Sequence, residues 1–261
     1  MALLHRVGWD AAFLRRSPWF WPLTAAAARF ASRTDWPQRA DLDALYAELA
    51  TANGAEPLRF VDNVKKTDKH DGDKLVLARL YDGRIALGSE VPTRERDWHD
   101  FFNALCFATY PRAKRALHRR QFAVLQRRIE PGATRLPPAR IPEQDSLTLF
   151  DEGGAIVATE APAAQQLMAA PEADRPDLLR ELSESKRARI IPFGHALFEH
   201  LVEGLRCPGG STRIVELASL NISDATLLTQ VDHALANLLE DRSIFLSPKE
   251  SAHLRLPALG L

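Results

Sequence analysis

Cysteine is close to absent: Cys106 and Cys207 are the only two among 261 residues. Two thiols cannot build a disulfide framework, and both lie in helix-like surroundings, which points to a reducing cytoplasm. An excess of either charge is missing as well. Lys plus Arg and Asp plus Glu each number 34, for a formal net charge of +0. No overall field draws the molecule to nucleic acid or to an anionic membrane, so any anion has to be recognised by a local patch. The chain also lacks a nucleotide-cofactor motif, and it lacks an apolar run of the ~20 residues needed to cross a bilayer. The nearest approach runs from Arg15 to Ala28, where two arginines precede aromatics and alanines in the manner of an export signal. Pro18 and Pro22 interrupt that run and Arg29 closes it early, so it is expected to form a buried N-terminal helix.

What the chain has in quantity is core material. Apolar residues make up 46% and charged residues 26%, the proportions of a globular protein large enough to bury a real core. Leu42, Leu45, Tyr46 and Leu49 fall on one stripe of a helix over 40–52, stopped by Asn53-Gly54. Leu58–Val61 and Leu75–Leu80 read as strands, joined by the polar Lys65–Lys74 loop. Asp97 caps a first helix, and Pro111 opens a second that runs to about Arg128. The stretch 130–142 is a proline-rich linker. After it, Ser146–Ala158 reads as a β-hairpin turned at Gly153-Gly154. Helices follow near 161–170, 174–186, 193–205 and 224–240, with a strand over Arg213–Ala218. The expected architecture is a predominantly helical α+β fold, one domain over 1–261, with a small antiparallel β-hairpin or sheet.

Chemistry-bearing residues concentrate at 91–118. On a wheel of about 100° per residue, Trp98, Phe101, Phe102, Leu105 and Ala108 form one apolar arc. His99, Asp100 and Asn103 share roughly a quarter turn on the other side, and Cys106 and Phe107 flank them, so the helix is apolar nearly all round. A buried imidazole, carboxylate and amide need partners, since an unpaired one costs several kcal/mol. His99 and Asp100 are therefore candidate ligands of a divalent metal, or His99 a general acid–base group, with Asn103 orienting substrate. Thr93, Arg94 and Lys114 are candidate holders of an anionic substrate. His195 and Glu199, four residues apart on one helical face, form a second candidate metal pair, and Asp151 beside Glu152 could complete such a site. The helix from Pro111 carries seven Lys/Arg and no acid. Such a stripe suits nucleic acid or an acidic partner, although with no net charge its ordinary place is the solvated surface.

The motifs Val91-Pro-Thr-Arg94, Trp98-His-Asp-Phe-Phe-Asn-Ala-Leu105 and Tyr110-Pro-Arg-Ala-Lys114 together resemble an uncharacterised bacterial family classed only as a domain of unknown function. Leu147–Glu152, Phe193–Leu197 and Leu256–Gly260 fit the same pattern, so the resemblance runs from about Trp36 onward and implies one domain. It departs at His118, where the family tends to carry asparagine, and at the Lys65–Lys74 loop, which looks like a local expansion. The resemblance implies positions and no chemistry. On the residues, the expectation is a metal-assisted hydrolase acting on a phosphoester-type anion, with a non-catalytic binding protein using the basic 112–128 helix as the alternative.

Overall fold

The computed structural model describes residues 8–52, 54–63, 69–72, 74–205 and 211–248. Asn53, half of the Lys65–Lys74 loop, Cys207 and the Leu256–Gly260 motif lie outside them. The N-terminal segment is not one helix. Pro18 and Pro22 set it into short 3-10 turns, Phe13–Arg16 and Pro18–Leu23, followed by α1 (Thr24–Ala27) and the turn Ala28–Phe30. Its apolar residues are nonetheless buried as expected: Phe13, Phe20, Leu23, Ala26, Ala27 and Phe30 all lie in the core.

After α2 (Arg39–Ala52) comes β1 (Arg59–Val61), and then a two-residue ladder of β2 (His70–Asp71) and β3 (Lys74–Leu75). The expected strand over Leu75–Leu80 does not extend past β3. Leu77–Arg79 is a 3-10 turn, and it leads into α3 (Tyr81–Gly88), a helix that the apolar spacing did not announce. Gly83 explains the tight join, because a Cβ there would meet the Leu77 carbonyl at 2.1 Å. β4 (Glu90–Pro92) pairs in parallel with β1. α4 (Trp98–Thr109) and α5 (Pro111–Arg128) follow as the capped pair that the sequence implies, with the Asp97 carboxylate accepting the Asp100 N–H at 3.1 Å.

The expected hairpin at Gly153-Gly154 is replaced by a helix, α6 (Pro142–Gly153), running into β5 (Ala155–Thr159). Pro142 opens the helix, Glu143 and Asp145 complement its positive end, and Ser146, Leu147, Phe150 and Asp151 form its buried face. Gly154 is extended and makes no reverse turn. It is there for a close approach, since a Cβ would meet the Phe150 carbonyl at 2.2 Å. Next come α7 (Ala161–Ala169), α8 (Arg175–Glu184), β6 (Ala188–Pro192), α9 (His195–Glu203), β7 (Thr212–Glu216) and α10 (Asp224–Glu240). β5 is central in a mixed sheet, antiparallel to β6 and parallel to β7, and every one of its residues is buried. A main apolar cluster extends from Phe13 to Phe245, and a smaller one around Val157, Leu167 and Leu182 packs α7 and α8. The architecture is a helix-rich α+β fold. Among the described residues, no helix is long and apolar enough to cross a membrane.

The basic helix departs from its expected place on the surface. α5 is interior, with Lys114, Arg115, His118 and Arg120 all buried. Their partners are internal too: Asp151 for Lys114, Glu56 for Arg115, and Glu143 with three backbone carbonyls for Arg120.

Candidate functional site

α4 projects His99 and Asn103 from successive turns of one face. Asp100, beside them on the wheel, turns away. It accepts from the Arg94 backbone N–H at 2.6 Å and from the guanidinium at 2.9 Å through each carboxylate oxygen. That two-pronged pairing raises the Arg94 pKa further, and Arg94 also reaches Asp97 at 3.2 Å. Thr93 is spent on local structure, its hydroxyl donating to the Val91 carbonyl and its N–H to the Val61 carbonyl. Thr93 and Asp100 therefore hold the approach to α4 and stand apart from the histidine.

His99 meets α9. Its Nδ1 lies 2.9 Å from Glu199 Oε2, and its Nε2 lies 3.0 Å from His195 Nε2, with the two rings nearly perpendicular at 77°. His195 Nδ1 is 2.9 Å from the Asp151 backbone carbonyl. The join between β6 and α9 makes this possible. Phe193 and Gly194 both donate their N–H to the Gly154 carbonyl, at 2.9 and 2.8 Å. A Cβ on Gly194 would meet the Glu152 carbonyl at 2.4 Å, so only glycine lets the start of α9 sit against the end of α6. The sequence spacing suggested His195 and Glu199 as a chelating pair. In the fold, Glu199 instead supports His99, and the two imidazoles face each other.

The hydrogen-bond roles follow from the partners. A backbone carbonyl only accepts, so His195 Nδ1 carries a proton, and a carboxylate likewise fixes the proton of His99 on Nδ1. In the neutral rings both Nε2 atoms then present lone pairs to each other across 3.0 Å. Such an arrangement needs a proton or a cation between them. The two rings are biased in opposite senses. Burial pulls the His99 pKa down, but the Glu199 bond and charge, with the charges of Asp100 and Glu152, outweigh it and leave His99 raised. Burial holds His195 well below the usual range, and the positive charges of Lys114 and His99 add to that effect against Asp151.

Behind His195 lies a buried ionic chain. Lys114 is fully buried, between the rings of Phe107 at 4.9 Å and Phe193 at 5.9 Å, and its ammonium bonds Asp151 Oδ1. Burial would raise the Asp151 pKa, but Lys114, His118 and His195 together hold it below the usual carboxylate range. Asp151 Oδ2 stands 3.9 Å from both His195 Nδ1 and His118 Nε2. His118 is buried, stacked on Phe107, and its Nδ1 lies 2.9 Å from Asp82 Oδ1. Asn103 donates to the Tyr81 hydroxyl at 2.8 Å. Among the described residues, Asn103 Oδ1 and His118 Nε2 are buried without a hydrogen-bond partner. Cys106 takes no thiolate part, since burial pushes its thiol up to about 12.

The fold thus brings together His99, Asn103, Lys114, Asp151, His195 and Glu199, and leaves Thr93, Arg94 and Asp100 at the rim. Lys114 is ion-paired inside rather than open to an anionic substrate. Tyr81, Asp82 and His118 belong to the same polar core and were not expected there. Tyr81 and Asp82 sit on the unannounced α3, and His118 sits on α5. Among the described residues, no group of three or more His, Cys, Asp and Glu side chains is placed to enclose a metal ion.

A family model described as "Protein of unknown function (DUF3025)" matches residues 59–261, and the chain belongs to that family. No curated protein and no solved structure matches. The matched span contains every residue of the polar core and begins at β1.

Proposed function

We propose that the protein is a metal-assisted hydrolase that holds a divalent transition-metal ion between His99 Nε2 and His195 Nε2. The observation that carries this reading is the pair of facing ring nitrogens, each with its opposite nitrogen anchored, by Glu199 in one ring and by the Asp151 carbonyl in the other. Metal-ligating histidines are oriented by this kind of support. Metal–imidazole bonds of about 2.0–2.1 Å to nitrogens 3.0 Å apart would subtend roughly 95° at the ion, close to the angles of ordinary coordination. Two protein ligands leave positions for water and substrate, and a bound ion supplies Lewis acidity and a water made acidic near neutral pH. The half-exposed Arg94 guanidinium, near enough to Glu199 for the two charges to interact, favours a phosphoester-type substrate, although Asp100 already shares it.

A second reading rests on the opposite pKa shifts and on the lack of a third ligand among the described residues: His99 as proton donor and His195 as acceptor, with no metal. Its difficulty is distance, because 3.0 Å leaves no room for a substrate atom between the two nitrogens. The non-catalytic alternative through α5 has less support, since Lys114, Arg115 and Arg120 are buried and paired.

The test is hydrolysis of chromogenic phosphomonoesters, phosphodiesters and carboxylic esters by protein loaded with zinc, manganese or cobalt. Activity that needs metal, and that falls at least about a hundredfold in His99→Ala and in His195→Ala, supports the reading. Metal-independent turnover lost in the same variants favours the proton-transfer reading. Turnover unaffected by either variant contradicts both.

A further inference from the structure

Lys114 and His118 serve the histidine side of α5. Its other side carries Arg112, Arg115 and Arg119 in one stripe, and there the helix faces a cavity of about 310 Å³. The opposite walls are the Gly54–Glu56 turn and the His233 and Glu240 side of α10. We infer that this cavity is a second ligand site, independent of the histidine pair, for a small phosphorylated molecule whose phosphate docks against the arginine stripe.

The lining sets three guanidiniums and an imidazole against two carboxylates, Glu56 and Glu240, so the wall has a cationic surplus in a molecule with none overall. Arg115 gives that surplus a fixed position. It is buried, and its guanidinium is held by the Glu56 carbonyl at 3.2 Å, by Ser89 Oγ at 3.3 Å and by the Pro57 carbonyl. A charge locked in place away from water attracts an anion more strongly than a flexible surface one, and the planar guanidinium matches phosphate geometry.

The Glu56 carboxylate shows where an oxyanion would sit. One of its oxygens meets Arg115 at 3.2 Å and Arg119 at 2.6 Å, bridging the two guanidiniums from the solvent side. Glu56 is 63% exposed in its side chain and its bond to the half-exposed Arg119 is a surface ion pair of little worth, so an incoming oxyanion need only take over the carboxylate's place at the buried Arg115 as Glu56 swings aside. The cavity volume lies at the lower end of small-molecule sites, which suits a phosphate on a short polar body and is too small for a nucleic acid strand.

The probe is inorganic phosphate, followed by pyrophosphate, titrated calorimetrically into the full chain at constant ionic strength, with chloride as the control anion. The expected result is saturable binding that weakens about tenfold or more in Arg119→Gln, tightens several-fold in Glu56→Gln and is unchanged in His99→Ala. Arg119 is half-exposed, so its variant keeps the fold, and Glu56→Gln gives an opposite-sign check that misfolding would not produce. The inference is overturned if chloride acts as phosphate does, or if Arg119→Gln and Glu56→Gln both bind as the parent does. It is equally overturned if His99→Ala abolishes binding, which would move the anion to the histidine pair.

Discussion

Asp151 acts through three atoms at once. Oδ1 takes the buried Lys114 ammonium, Oδ2 faces His118 and His195, and the backbone carbonyl fixes the tautomer of His195. Asp151→Asn leaves the carbonyl in place but strands a fully buried lysine, so it should cost about 3–5 kcal/mol of stability in denaturant unfolding. A loss under about 1 kcal/mol would mean that Lys114 finds water or another partner. Glu199 has the narrower task of holding His99. In Glu199→Gln the His99 pKa should fall, because a carboxylate bond and charge keep it raised, and metal affinity should drop about 10–100-fold. Imidazole NMR titration and calorimetry read the two effects separately. At this scale the sequence singled out His99, Asp100 and Asn103 as buried groups needing partners, and Asp151, His195 and Glu199 as candidate metal ligands. It did not reveal which met which. His99 and Glu199 are 100 positions apart, and no local periodicity reports a contact of that kind.

Elements set the geometry that these residues use. Gly194 allows α9 to start against the end of α6, so Gly194→Ala should push His195 away from His99. The variant is expected to lose a few kcal/mol of stability and to bind metal more weakly even when folded, as circular dichroism with metal titration would show. Affinity equal to the parent would mean that the join yields without moving the ring. A second junction is governed by Asp232 of α10, which accepts the N–H of Ala113 at 2.8 Å and of Arg112 at 3.2 Å at the start of α5. Burial raises its pKa from 3.8 to about 7, over the opposing pull of those bonds and of Arg112. The folded state then holds this proton more tightly than the unfolded chain does. Its contribution to stability is complete below about pH 4 and is lost as pH rises through about 7. Asp232→Asn should flatten that part of the stability–pH curve relative to the parent, and identical slopes for both proteins would contradict the assignment.

Legibility also differed by element. α4, α5 and α10 were legible from caps, proline and apolar spacing, because those signals are local. α6 was misread because a Gly-Gly pair signals a turn only when φ is positive, and Gly154 serves a close approach in extended backbone. α3 was hidden by its short length and by the 3-10 turn that leads into it.

At the scale of the whole molecule, charge balance conceals a divided interior. With 34 residues of each sign, the chain buries Lys114, Arg115 and Arg120 in a helix that composition alone would leave in water. That helix separates the histidine pair, reached from α3, α4, α6 and α9, from the arginine-lined cavity against α10. The family match, residues 59–261, takes in the first site whole and the second except for its Gly54–Glu56 wall. The central proposal concerns the first of these sites, where two facing imidazoles, locked as acceptors, would hold a metal ion. The most direct measurement is the visible absorption of cobalt(II) titrated into metal-stripped protein near neutral pH. The account predicts d–d bands that saturate at one ion per chain and disappear in both His99→Ala and His195→Ala. No saturable bands in the parent, or bands that survive either substitution, would contradict it.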